Sequence, residues 1–439
     1  MMNPEFKRNL WLSFSKHKLI GMPVLLGLGA LALAMSEKNP DRIPDILYTA
    51  AISAFIFIVW LWGARNANLS IVDELRDKTW DQQRMSALNP WAMTWGKLLG
   101  STAFNWYGGA ICLAVATIAA LYAGDKPWVI DLPALVATGL LLHASLIALN
   151  LHTGQLEMQL IQRGGLGWIA IIFTLITFNI VTNVFILERE ITWWGMGIPG
   201  RLFLFASAAL FAACAVFAAW RVISNALQVR TLPWAWPLFA LILTGYFAGL
   251  FTRDGDTPFF VIGHAGLIVT SIMTYGALFS EPARLPDWNM LRLRQQKKDW
   301  RGWLQHLPLW PTTLLLAFGF ALLPSPKVNG MGMLYSPLLD FPVGFAFMML
   351  RDACIVLFFS FAPNAKRPVA VAMLYLIVLD ALLPFFFNVA GFDALSYFFF
   401  PVGDKYGAAA GVLVMATQAV IALGLVAWRL QKAKLAGTA

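Results

Sequence analysis

Three charges in this 439-residue chain fall inside long apolar runs, where charges are rarest: Arg351, Asp352 and Asp380. At the centre of a bilayer a charge costs about 2.5–3.5 kcal/mol on insertion scales, so such residues face the protein interior and pair. The two runs that carry them turn back on each other near Asn364-Ala365-Lys366. Arg351 lies 14 residues before Ala365, and Asp380 lies 15 after it. At a rise of about 1.5 Å per residue both reach the same depth, so an Arg351–Asp380 ion pair is expected. Its plainest role is to fix helix register; a polar gate or a substrate contact is the functional alternative. Asn179 and Asn183, four residues apart, and His143 are further polar residues in apolar runs, where interhelical hydrogen bonding is the default explanation.

Little else in the chain has spacing for chemistry. The histidines, His17, His143, His152, His264 and His306, form neither an i, i+4 pair nor an HExxH pattern. Cys112, Cys214 and Cys354 all lie in apolar runs without paired spacing, which argues against a disulfide framework and against a thiolate metal site. No GxxxxGK[ST] occurs, and Gly96-Lys97 is followed by Leu98. The chain therefore has no P-loop, and any ATP and magnesium that drive it belong to another subunit. No Ser-His-Asp arrangement or carboxylate pair can be argued, so neither a catalytic residue nor a bound cofactor is expected.

The elements that must position these residues are membrane helices. Hydrophobic residues make up 59% of the chain and charged ones 13%, against about 25% charged in soluble domains. The fold class is an all-α polytopic membrane protein. Twelve spans are expected: 19–35, 46–64, 98–123, 131–151, 166–187, 200–220, 233–251, 258–279, 308–324, 341–361, 368–390 and 405–428. With both termini in the cytoplasm, 23 Lys and Arg fall inside and 8 outside when span-edge charges are counted with the nearest loop, Arg351 alone being within a span. Excess inner Lys and Arg is what sets orientation. The net charge of +9 is read through that distribution and not as a nucleic-acid footprint. Trp60, Trp62, Trp128, Trp193, Trp194, Trp220 and Trp428 stand near span ends, as interfacial anchors do. Residues 1–18 read as an amphipathic helix on the inner leaflet, with Phe6, Leu10 and Phe14 on one face and Lys7, Arg8, Lys16 and Lys18 adding charge. A signal peptide ending near Ala32-Leu33-Ala34 is the rival reading, but the apolar run from Leu19 to Met35 is longer than an ordinary h-region.

Between the second and third spans lies the segment 65–97, too charged for hydrocarbon and too long for a minimal turn. Leu69, Val72, Leu75 and Trp80 have helical spacing for one apolar face, and Met85, Leu88, Trp91 and Trp95 for another. Asn89-Pro90 breaks it in two, because proline disfavours helix at the preceding residue. A bent amphipathic elbow with exposed aromatics, Trp80 and Trp91 foremost, is expected. Its residues Glu74, Thr79, Leu88, Pro90, Gly96 and Lys97 resemble the pattern of permease subunits of type-2 ABC exporters: an acid after the second helix, a Thr, a Leu-x-Pro, and a Gly-Lys opening the third. The resemblance covers about the first 125 residues, and Lys78 stands where the family usually has glycine. It implies that the elbow, including Trp80, Arg84 and Trp91, holds a coupling helix that docks on a separate cytoplasmic ATPase, itself a dimer.

The outline repeats. Glu281 follows the eighth span as Glu74 follows the second, and the loop 280–307 carries Trp288, Arg292, Arg294, Lys297, Lys298, Trp300 and Trp303. Two six-helix halves, 19–224 and 225–439, are expected in one orientation. Glu281, Trp288, Arg292 and Trp300 then form a second cytoplasmic contact, or simply a basic surface for anionic lipid. The implied function is a permease of an ATP-driven exporter in a bacterial inner membrane, moving its substrate by alternating access. A proton-coupled carrier working through Asp380, and a membrane anchor for a cytoplasmic complex, are the alternatives.

Overall fold

A computed structural model describes residues 3–77, 79–85, 88–124, 127–156, 190–229, 231–252, 258–281, 285–323, 341–362, 367–400 and 407–437. The protein is an all-α polytopic membrane protein. Among the described residues nine helices are long and apolar enough to cross a bilayer, and Ala235–Phe251 and Trp310–Ala321 are shorter apolar helices. Each falls on an expected span. The expected span 166–187, with Asn179 and Asn183, lies outside the described residues.

The chain divides into two compact units, Met1–Ile191 with Gly197–Thr231, and Thr192–Met196 with Leu232–Ala439. The first unit contains α1 (Pro4–Ser13), α2 (Lys16–Ser36), α3 (Ile43–Phe55), α4 (Ala64–Arg76), α5 (Trp80–Arg84), α6 (Pro90–Gly100), α7 (Ala103–Ala123), α8 (Trp128–Leu156) and α9 (Gly200–Ala226); a short β1–β2 hairpin (Glu190–Trp193, Met196–Pro199), whose residues 192–196 belong to the second unit, precedes α9. Helix α9 packs on α8, with Ala215 and Ala219 in one cluster with Ala144, Ile147 and Leu151, and its buried alanines Ala208, Ala212, Ala215 and Ala219 recur at three- and four-residue intervals. Bilayer helices draw no net hydrophobic gain from meeting, so close backbone approach supplies the attraction. Gly109 on α7 serves the same end against α3 and the turn that follows it: a Cβ there would lie 2.5 Å from Val59 Cγ2.

Between α3 and α4 the helix widens into a π-segment, Ile56–Gly63, without breaking. Two carbonyls of that segment are reached by side chains from neighbouring helices. Asn105 Nδ2 donates to the Ile58 carbonyl at 2.8 Å, and His143 Nε2 lies 2.8 Å from the Val59 carbonyl. A carbonyl only accepts, so Nε2 carries the proton. His143 is thus an interhelical fastener. Asp131 and Arg201, at span edges, are joined at 2.6 Å, with Tyr48 donating to the same Asp131 oxygen at 3.2 Å.

The second unit holds α10 (Ala235–Phe251), α11 (Pro258–Ser280), α12 (Leu285–Gln296), α13 (Trp300–His306), α14 (Trp310–Ala321), α15 (Pro342–Ser360), α16 (Pro368–Ile377), a π-segment (Val378–Leu382), α17 (Leu383–Val389), α18 (Asp393–Phe399) and α19 (Ala408–Gly437). Its core gathers Leu267, Leu314, Ala346, Met349, Ala353, Met415 and Ala422 from α11, α14, α15 and α19. At Gly266 on α11 the Phe320 ring of α14 sits where a Cβ would be, 2.5 Å away.

Candidate functional site

The expected elbow does not begin at residue 65. Helix α4 continues the α3 rod to Arg76, because Ala67, Ile71 and Val72 extend its apolar seam onto Ala144, Ile147 and Leu151 of α8. The rod closes at Thr79, whose N–H and hydroxyl both reach the Glu74 carbonyl, at 3.1 and 3.3 Å. After α5, the Asn89 side chain caps α6 by accepting from the Trp91 N–H at 2.9 Å, with Pro90 in the first turn. Proline there costs nothing, since that N–H has no helical partner. Leu88 packs, half-buried, against the core beneath.

Four charges brace this bend. Lys97, 1% exposed, donates to Glu74 Oε2 at 2.5 Å and to Glu5 Oε1 at 3.3 Å. Arg8 donates to Glu74 at 2.6 Å and to Glu5 at 3.0 Å. Gln83 Nε2 adds a bond to Glu74 at 2.7 Å, and the Lys97 ammonium lies 5.3 Å from the Trp80 ring centroid. Two acids and two bases make the cluster neutral, which is what permits its burial. Helix α1 enters through Gly96, where a Cβ would lie 2.6 Å from Glu5 Cβ, and through Gly100, where it would lie 2.7 Å from Asn9 Cβ. The Gly96-Lys97 dipeptide therefore has two jobs: the glycine admits the backbone of α1, and the lysine neutralises what α1 and α4 bring. Asn3 Nδ2 also donates to the Ala92 carbonyl.

This corrects the expected exposure of the elbow. Trp80 is buried beneath Lys97, and Glu74 faces inward. The outward residues are Met85, 81% exposed, and Trp91, 42% exposed, whose ring meets those of Trp95 and Trp220 edge-on at 5.9 and 5.6 Å. Arg84 closes α5, and its side chain, like Lys78, lies outside the described residues. Glu5 escaped the sequence reading, and Arg8 was read only as a charge for the inner leaflet. The signal for Glu5 is a lone acid three residues before a base on an otherwise basic amphipathic helix.

In the second unit the expected cytoplasmic contact separates into an inner and an outer pair. Both Glu281 carboxylate oxygens accept from the Leu309 N–H, at 3.0 and 2.9 Å, capping α14. Trp288 packs on Trp310 and Phe361, at 6.4 and 6.1 Å between ring centroids. Arg292 and Trp300 are exposed. The Glu281 and Trp288 side chains are thus half-buried and engaged within the fold, while the other two face outward. Burial pushes the Glu281 carboxyl up to about 7, against the N–H groups of Leu309 and Trp310, which pull it down. A carboxyl raised above its unfolded value stabilises the fold fully below about pH 4.5 and loses that contribution as pH rises through about 7. Glu281→Gln keeps an acceptor for Leu309 and is expected to flatten this loss in a series of thermal-unfolding curves from acid to neutral pH. An unchanged pH profile would exclude Glu281 as its source.

The intramembrane charges meet as a cluster. Arg351 donates to Asp380 and, through Nε and Nη2, to Asp352 Oδ1 at 2.9 and 2.7 Å. The expected Arg351–Asp380 contact is present. The Arg351–Asp352 contact is not anticipated by helix geometry, since adjacent positions point about 100° apart; the long arginine side chain folds back to reach its neighbour. Tyr275 and Gln418 complete the cluster, donating to Asp352 Oδ2 at 2.6 Å and accepting from Arg351 Nη1 at 2.8 Å. Both had escaped the sequence reading; Gln418 carries the signal of an amide in the middle of an apolar run. No protein-family model, curated protein or solved structure matches the chain.

Proposed function

We propose that the chain is the membrane-spanning permease of an ATP-driven exporter of the bacterial inner membrane, with both termini cytoplasmic. ATP and magnesium are bound by a separate, dimeric cytoplasmic ATPase. The observation that carries the reading is the braced bend of α4, α5 and α6. A continuous rod from the second span is locked at Glu74 through buried Lys97 to α6, and the short helix α5 that follows the rod sets Trp80 against the same ammonium. A push on α5 then moves two membrane helices as one body instead of flexing a loop. The resemblance of Glu74, Thr79, Leu88, Pro90, Gly96 and Lys97 to type-2 ABC permeases supports the same reading, and alternating access is the mechanism it implies.

Since Glu74 is turned inward, the docking test belongs on Met85. A photocrosslinking residue at Met85 is expected to capture a P-loop protein whose ATP hydrolysis depends on the permease. Met85→Glu is expected to lower that association at least tenfold while leaving the thermal stability of the permease unchanged. Capture of no P-loop chain, or undiminished association and coupling in Met85→Glu, would rule the reading out.

A further inference from the structure

One guanidinium faces two carboxylates at mid-depth in the second unit. Arg351 is the tenth of nineteen residues in α15, so about 14 Å of helix extends on either side of it. Its fork is fully used: Nε and one Nη2 proton go to Asp352, the other Nη2 proton to Asp380, and Nη1 to Gln418 and the Phe399 carbonyl at 2.8 and 3.4 Å. Both oxygens of Asp352 are also occupied, by Arg351 and by the Tyr275 hydroxyl. Asp380 differs. Among the described residues its one hydrogen bond is to Arg351, and its carboxylate is 17% exposed where Arg351 and Asp352 are 2%.

With every acid ionised the cluster carries one net negative charge. The titratable and charged groups facing it are Tyr275 from α11, Asp352 and Cys354 from α15, and Asp380 itself; α19 contributes the neutral Gln418 and Met415. Among the described residues no second base answers the second acid. A lone excess charge at this depth is what hydrocarbon tolerates least. Asp380 also sits in the π-segment Val378–Leu382, and single π-turns inside helices recur at functional sites.

We propose that Asp380 is a reversible proton-binding site. Its free oxygen takes a proton from water, the carboxylate becomes a neutral carboxylic acid, and the cluster reaches zero net charge while the Arg351–Asp352 pair stays intact. A metal cation fits less well, because it needs several oxygen ligands and the Asp352 oxygens are already committed. The proposal does not depend on the exporter reading: a proton can be bound here whether or not ATP drives the molecule.

Infrared difference spectroscopy of the full-length protein in lipid nanodiscs tests it. Spectra taken from about pH 5 to about pH 9 span ordinary and raised carboxyl values. All spectra are taken in a Glu281→Gln background, which removes the other raised carboxyl described above, and the expected result is a protonated-carboxyl band at neutral pH that fades as pH rises. Asp380→Asn is expected to fold and to lack that band, and Asp380→Glu to keep it at a shifted frequency. Asp131→Asn, in the other unit, is expected to leave it in place. Absence of any such band in that background, or a band insensitive to both Asp380 variants, overturns the proposal. So does a band that sodium removes at constant pH, which would mark a cation site instead.

Discussion

Arg351→Gln is expected to destabilise the protein by about 3–5 kcal/mol, the usual cost of removing one member of a buried ion pair. The substitution leaves Asp352, 2% exposed, with the Tyr275 hydroxyl as its remaining described partner, and it removes the one cation that faces Asp380 among the described residues. Asp380→Asn is expected to be mild by comparison, because Arg351 keeps Asp352 and the cluster becomes neutral. Pairing read from the sequence alone implies the opposite, that loss of Asp380 strands Arg351; the Arg351–Asp352 contact is what reverses the order. Arg351→Gln combined with Asp352→Asn and Asp380→Asn is expected to recover most of the lost stability, since all three buried charges are then removed together. Thermal unfolding in a fixed detergent, with yield of monodisperse protein as a second readout, ranks the variants. If Asp380→Asn proves as damaging as Arg351→Gln, the charge count behind this order is wrong.

Lys97→Met is expected to cost a comparable amount, about 3 kcal/mol, for the same physical reason at the other functional element. Lys97 is the buried cation between Glu74 and Glu5, and without it Glu5 keeps Arg8, which is largely exposed and therefore a weaker partner. Helix α1 should detach before the membrane bundle unfolds, since its remaining anchors are the partly exposed Arg8–Glu74 ion pair, hydrogen bonds from Asn3 and Asn9, and the close fit at Gly96 and Gly100. Limited proteolysis near Ser13 to Ser15 is expected to speed up in Lys97→Met, with slower cutting restored by adding Glu5→Gln. Proteolysis unchanged from the parent protein would show that the charge cluster does not hold α1.

Much of the molecule is legible in the sequence. The Arg351–Asp380 contact follows from two helices of known rise meeting at a turn, a calculation that needs only residue counting. The break at Pro90 is equally local, because proline restricts its own neighbour. Burial of Trp80 and of Glu281 was not legible. An amphipathic pattern states that a face is apolar without stating what covers it, and here Lys97 covers Trp80, while Glu281 turns to the N-terminus of α14.

What the sequence determined by itself is the medium and the elements: 59% hydrophobic residues in long runs force membrane helices, since lipid offers the backbone no other hydrogen-bond partner. Which side chains meet was decided by the tertiary structure. Glu5 and Lys97 are 92 positions apart, and Arg351 and Gln418 are 67 apart. No periodicity reaches that far, because periodicity reports the direction a residue faces along its own helix. Partners depend on how separate helices pack, and that packing rests on close contacts such as Gly96 on Glu5 and Gly266 on Phe320, whose meaning appears only once both helices are in place.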